Sequence, residues 1–168
     1  MRGVPEELRR DGDLIGLWTD PRLLLAQACG LPFTTLLAGR VRFVGTPVYR
    51  LAGCDEGGSY RSWVVVREGA GFVGIAELEG VRAAVNAPHS QSGANALLAA
   101  TLPFAAGRPF FSGIVETGAH AASLAAVRDG LADCAAVDCV TFALLARPRP
   151  LAVAGGRVPG AHAPPPPF

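Results

Sequence analysis

Ser90-Gln91-Ser92-Gly93 stands between a short apolar run, Val81 to Val85, and a stretch rich in strong helix formers, Ala94 to Leu102. A strand that turns into a helix at such a place brings free backbone N–H groups, two hydroxyls and the positive end of the helix dipole to one point. That is the chemistry of anion binding, and a phosphate or phosphonate satisfies it. A second polar group, Thr117-Gly118-Ala119-His120, also separates a strand-like run from a helical one, so His120 lies at a helix start where it can donate to an anion. A third, Asp138, directly follows the apolar run Cys134 to Val137. A carboxylate there repels a dianion unless a proton or a donor lies between them, which favours protonated or hydrogen-bond-donating ligands. Tyr60 and Ser62 open the strongest β-forming run, Trp63-Val64-Val65-Val66, and add a phenol and a hydroxyl. Each residue also has an ordinary structural reading, since Ser and Asp cap helices, a lone His sits in a loop and an aromatic at a strand start packs. Recurrence of polar groups at three strand ends is what favours a site.

The elements that must position these groups read as alternating strands and helices. Leu23 to Ala28 and Val41 to Thr46 read as strands, Pro32 to Leu37 as a short helix, and Gly53 to Ser59 as a polar glycine-rich loop. Ser62 to Val66 reads as a central strand. Beyond it Val81 to Val85, Ile114 to Glu116 and Cys134 to Val137 alternate with helices near Ala94 to Leu102, Ala121 to Asp129 and Val140 to Leu145. Such alternation predicts an α/β fold with mostly parallel sheets, in which ligands lie beyond the carboxyl ends of the strands. From Arg147 the chain turns to proline and glycine and ends in Pro164 to Pro167, so its last twelve residues read as a tail.

Composition narrows the function classes. The 168 residues are 50% hydrophobic, enough for a packed core, and the formal charge of +1 with no basic run gives no footprint for nucleic acid or a membrane surface. All 15 basic residues are Arg, which carries no functional reading. No apolar stretch approaches the roughly 20 residues that span a bilayer, and Met1 to Asp20 has charges where a signal peptide has its apolar segment. Cys29, Cys54, Cys134 and Cys139 lack the close paired spacing of a zinc site, so no metal is expected. Cys29 and Cys54 can pair if the protein is exported, whereas Cys134 and Cys139 read as buried thiols. Gly69-Ala70-Gly71-Phe72-Val73-Gly74 fits a dinucleotide fingerprint, but the segment after it is too short for the crossover helix and no acidic residue stands where one is needed. A serine hydrolase of Ser92, His120 and Asp138 lacks the G-x-S-x-G elbow, and Ser92 and Asp138 are already explained as helix-start residues.

With these residues in place the chain resembles the phosphate/phosphonate-type substrate-binding proteins of ABC transporters, a two-lobed family with the type II periplasmic binding fold. The resemblance runs from about Leu14 to Pro150 and rests on Leu25-Ala26-Gln27-Ala28-Cys29-Gly30, Thr46-Pro47-Val48-Tyr49, Tyr60-Arg61-Ser62-Trp63, Val85-Asn86 through Gly93, Thr117 to His120 and Ala136-Val137-Asp138-Cys139. It implies two α/β lobes, the first incomplete: residues 1–67 as a partial first lobe, 68–80 as hinge or crossover, 81–150 as the second lobe, and 151–168 as a tail or a truncated return to the first lobe. It also implies a phosphorus oxyanion held between the lobes by Ser90, Gln91, Ser92, Gly93, His120, Asp138, Tyr60 and Ser62, with Gln27 and Cys29 closing the first-lobe side. No cofactor is implied, and the protein partner would be an ABC permease. The location implied is periplasmic, with cytoplasmic left open by the charged N-terminus. Phe33 stands where the resemblance leads one to expect tyrosine. The competing expectations are an α/β fragment that binds nothing and, more remotely, the hydrolase.

Overall fold

A computed structural model describes residues 12–67, 69–146 and 156–157. Its centre is one five-stranded mixed sheet of β1 (Ser62–Arg67), β2 (Arg82–Val85), β3 (Gly113–Glu116), β4 (Cys134–Asp138) and β5 (Gly156–Arg157), in the order β3-β2-β4-β1-β5. Strands β3, β2 and β4 are parallel, whereas β1 runs antiparallel to both β4 and β5. The α/β class and all four strands read from Ser62 onward are present, within a residue or two of the expected bounds.

Alternation along the strands sorts the core into two layers. Val64, Val66, Ala83, Val85, Cys134 and Ala136 face one way, onto Leu78, Leu97 and Phe110. Trp63, Val65 and Val137 face the other, onto Leu124, Phe142 and Leu145, with Ala84 and Ala135 meeting Ala126 and Val127 beside them. Alanine at 83, 84, 135 and 136, all fully buried, lets the flanking helices approach the sheet closely. Those helices are α3 (Ala96–Thr101), α4 (His120–Arg128) and α5 (Cys139–Ala146), preceded in the chain by α1 (Leu14–Trp18) and α2 (Gly30–Thr34). The glycine-rich segment Gly69 to Gly74 leads into a single 3₁₀ turn, Ile75–Leu78, rather than a crossover helix.

Upstream of β1 the structure corrects several expectations. Leu23 to Ala28 and Val41 to Thr46 form no strand, because neither meets a neighbouring strand among the described residues to complete its hydrogen bonds, and Leu24 and Val44 are 97% and 77% exposed. The short helix is Gly30–Thr34 followed by turns, not Pro32 to Leu37. Ser62–Arg67, placed by resemblance at the end of a partial first lobe, is hydrogen-bonded into the same sheet as β2 to β4. The N-terminal segment is anchored by Trp18, whose ring meets His89 edge-on at 6.3 Å and whose Nε1 donates to the Gln27 carbonyl at 3.1 Å. Residues 1–11, 68, 147–155 and 158–168 lie outside the described residues, and so does the expected tail apart from Gly156–Arg157, which pairs with Val66 and Arg67.

Candidate functional site

Because β2, β3 and β4 are parallel, their carboxyl ends lie along one edge of the sheet, and each is followed there by a helical segment. After β2 the chain enters a turn of π-helix, Gln91–Asn95, before α3. Ser90 caps it: its Oγ accepts from the Gly93 N–H at 3.0 Å, as a small hydroxyl at an N-cap does. After β3, His120 is the first residue of α4. At the end of β4, Asp138 caps α5 through Oδ1, which accepts from the Thr141 N–H at 2.7 Å. Antiparallel β1 brings its amino end to this same edge, with Ser62 directly opposite Asp138, so the Tyr60 to Ser62 segment joins the group.

The side chains converge on His120. Its Nε2 lies 2.9 Å from Ser92 Oγ and 3.4 Å from Asp138 Oδ2, with the His120 and Asp138 side chains only 12% and 15% exposed. An ionised carboxylate only accepts, so when His120 is neutral the proton shared with Asp138 sits on Nε2. Ser92 Oγ then accepts from Nε2 and keeps its own hydroxyl proton free for a ligand oxygen. Burial pushes the His120 pKa below its ordinary value, against the opposing pull of Asp138 and of the Ala136 carbonyl. Nδ1 is buried and makes no hydrogen bond among the described residues. The arrangement therefore departs from a hydrolytic triad, in which the carboxylate holds one ring nitrogen while the other takes the serine proton. Here both partners crowd Nε2.

Tyr60 and Cys29 complete the ring. Burial raises the Tyr60 phenol far above its ordinary pKa, helped by Cys29 and Asp138, so it remains a neutral donor beside the Ser92 hydroxyl. Burial also raises the Cys29 thiol, which lies against the backbone N–H groups of Gln91 and Ser92. These N–H groups belong to the first helical turn, where no intrahelical acceptor exists. Gln91 is buried, and its Oε1 accepts from Asn95 Nδ2 at 3.1 Å. Gln27 is not brought to the centre: it is exposed, and its Nε2 donates to the Tyr49 hydroxyl at 3.3 Å. A cavity of about 190 Å³ opens beside the cluster, not over Ser90 to Gly93, and is lined by Gly53, Cys54, Asp55, Ser59, Tyr60, Arg61 and Trp63.

Asn86 is not among the site residues named from the sequence, yet its buried Oδ1 has no hydrogen-bond partner among the described residues and sits beneath the capped turn, where a Cβ on Gly93 would overlap it. Its sequence signals are its place just past a strand end and its membership of the Val85-Asn86 through Gly93 segment. Thr117 opens the second polar group of the sequence, which assigned it no partner. Its Oγ1 lies 3.1 Å from the Val85 carbonyl and 2.7 Å from Ser123 Oγ, which ties the ends of β2 and β3 and the first turn of α4 together. Among the described residues no group of three or more His, Cys, Asp or Glu is arranged to hold a metal, and no helix is long and apolar enough to cross a membrane.

No curated protein sequence matches the chain. Among solved structures, the PhnD1 protein of Prochlorococcus marinus in complex with methylphosphonate superposes with a TM-score of 0.58 at 16% identity, over 71% of this chain and 47% of its own. The XAC2383 protein of Xanthomonas citri, solved with chloride and with ATP, superposes with TM-scores of 0.54 and 0.55 at 21% and 19% identity, over 69% of this chain and 46% and 47% of its own. These likenesses show a shared fold, and the chain spans about half the length of the structures it matches. Residues 26–157 match the family model described as the periplasmic substrate-binding protein of the phosphonate ABC transporter. On this match, which covers most of the chain, the chain belongs to the phosphonate-type periplasmic substrate-binding protein family of ABC transporters.

Proposed function

We propose that the chain binds a small phosphorus oxyanion, phosphate or a phosphonate, and presents it unchanged to an ABC permease in the periplasm. The observation that carries this reading is the meeting of Ser92 Oγ, His120 Nε2 and Asp138 Oδ2 at one sheet edge, beside the capped turn that begins at Ser90. In the proposal the N–H groups and hydroxyls of Ser90, Gln91, Ser92 and Gly93 hold the anionic oxygens. Tyr60 and Ser62 donate from the facing wall. Asp138 accepts from a protonated oxygen or an amine of the ligand, directly or through the His120 ring. The Cys29 thiol stands where an oxygen would meet the Gln91 and Ser92 N–H groups, so ligand entry moves residue 29 aside. Gln27 serves only the rim. The sheet of β1 to β4 with its helices makes up the second lobe, β1 being its antiparallel member, and the cleft at the strand-end edge faces the first-lobe segment that precedes it.

The test is ligand-dependent thermal unfolding and calorimetric titration with phosphate, methylphosphonate, 2-aminoethylphosphonate, sulfate and acetate. A ligand at 100 times its Kd stabilises the folded state by about 2.7 kcal/mol. One phosphorus oxyanion should raise the transition and bind once per chain with no product formed. No shift with any of them in a cooperatively folded sample would sink the receptor reading and favour an α/β fragment without ligand.

A further inference from the structure

The four cysteines divide unevenly between the core and the edge of the site. Cys134 is fully buried in the sheet, and Cys29 lies against the capped turn. Cys54 and Cys139, 85 residues apart in the chain, have their Sγ atoms 3.5 Å apart. A disulfide needs about 2.05 Å, so a small side-chain rotation separates contact from bond. Both partners are held from two sides. Cys54 pairs with Tyr60 in an isolated antiparallel bridge, and the Cys139 N–H donates to the Arg61 carbonyl at 2.9 Å. Gly53 adopts φ of +91° and presses the loop so closely on α5 that a Cβ there would lie 2.8 Å from Cys139 Cβ. The sequence leaves Cys29 and Cys54 able to pair in an exported protein, but the sulfur that touches Cys54 is that of Cys139.

We propose that Cys54 and Cys139 form an intramolecular disulfide when the protein meets a low-molecular-weight or enzymatic disulfide oxidant, and that this bond staples the Tyr60 loop to the strand end that carries Asp138. Half-buried Cys54 is the thiol that meets the oxidant. Its thiolate attacks the oxidant disulfide, forms a mixed disulfide and releases one thiol. The Cys139 thiolate then attacks the Cys54 sulfur and expels the second. Two protein thiols are oxidised, one external disulfide is reduced, and the two protein protons end on the released thiols. Burial pushes the Cys139 thiol up to about 11, which makes the second step slow without altering its product. Cys134, pushed up to about 12 and wholly enclosed, stays out of the exchange. An oxidising location, the one in which such bonds persist, is that of the family as described.

The test equilibrates the full chain with reduced and oxidised glutathione at graded ratios, quenches with iodoacetamide and maps unreduced peptides by mass spectrometry. Trypsin with a protease that cuts before aspartate places Cys134 and Cys139 on separate peptides, because Asp133 and Asp138 precede them. The expected result is a cross-linked pair joining Cys54 to Cys139, with Cys29 and Cys134 alkylated. A loop this long constrains the unfolded chain strongly, so Tm should rise by about 5–10 °C in the oxidised sample, and Cys54→Ser should abolish both the cross-link and the rise. Cys54 alkylated at every ratio in a folded sample, or joined to Cys29 or Cys134, would overturn the pairing. A Cys54–Cys139 bond that leaves Tm unchanged would overturn the staple. Neither outcome depends on ligand binding, so failure here is separable from failure of the receptor reading.

Discussion

Replacing Ser90 with alanine asks whether the hydroxyl at position 90 builds the turn while the one at 92 serves the ligand. Ser90 and Ser92 are both 3% exposed, yet their partners differ in kind. Ser90 Oγ accepts from a backbone N–H, that of buried Gly93, whereas Ser92 Oγ meets side chains, the His120 ring and the Tyr60 phenol. Removing an N-cap hydroxyl costs about 1 kcal/mol, and leaving a buried N–H without an acceptor costs about 1–3 kcal/mol. The two figures describe one lost bond, so they do not add, and Ser90→Ala should destabilise by about 2 kcal/mol. For a chain of this size that is a fall in Tm of about 4–8 °C. Ser92→Ala leaves His120 paired with Asp138 and should cost less than about 1 kcal/mol. The assay is circular-dichroism melting of both variants under reducing conditions, with oxyanion titration of each. Ser92→Ala should lose most of its phosphonate affinity while remaining nearly as stable as the parent. If Ser90→Ala melts within a degree of the parent, or Ser92→Ala melts lower than Ser90→Ala, the division of labour is wrong.

Stability should also respond to pH through His120. Its folded pKa is depressed, so the unfolded chain takes up the proton first. Stability contributed by the neutral ring is therefore complete well above pH 6.5 and falls as pH drops below that value, until the folded protein protonates as well. Melting curves between pH 8 and pH 5 should show this loss, and His120→Gln should flatten it; equal slopes in parent and variant would place the titration elsewhere. Gly93→Ala drives a methyl into the Asn86 amide and should cost about 1–3 kcal/mol, with much of that recovered in the Asn86→Ala background. Additive losses in a denaturant-based double-mutant cycle would show that the two groups do not meet. Tyr60→Phe removes one donor from the facing wall and keeps the ring, so calorimetry should record oxyanion binding weakened by about 1–2 kcal/mol with Tm little changed. Unaltered affinity would remove Tyr60 from the site.

From Ser62 onward nearly every element was legible, because the signals there are local. The Trp63 to Val66 run, the short apolar runs at 82–85 and 134–137, and the helix formers after each polar junction carry their own structure with them. Ser90 and Asp138 were legible as helix-start residues for the same reason, since a cap bonds to an N–H three residues along the chain. Upstream the same reasoning misled. Leu23 to Ala28 and Val41 to Thr46 have strand-like composition, but a strand is completed by a neighbour that composition does not supply.

The amino-acid sequence by itself determined where chemistry-bearing residues stand relative to strand ends, and so which of them can share an edge of a parallel sheet. Tertiary structure decided which of them touch. The antiparallel course of β1 carries Ser62 to Asp138 and Tyr60 to the Ser92 hydroxyl, although the alternating pattern alone suggested a mostly parallel arrangement. Long-range packing likewise set Cys54 against Cys139 rather than Cys29 and left Asn86 Oδ1 unpaired under Gly93. The physical reason is range: hydrogen bonds to the next helical turn are written in neighbouring residues, whereas strand direction and sulfur contact depend on burying both faces of one sheet at once.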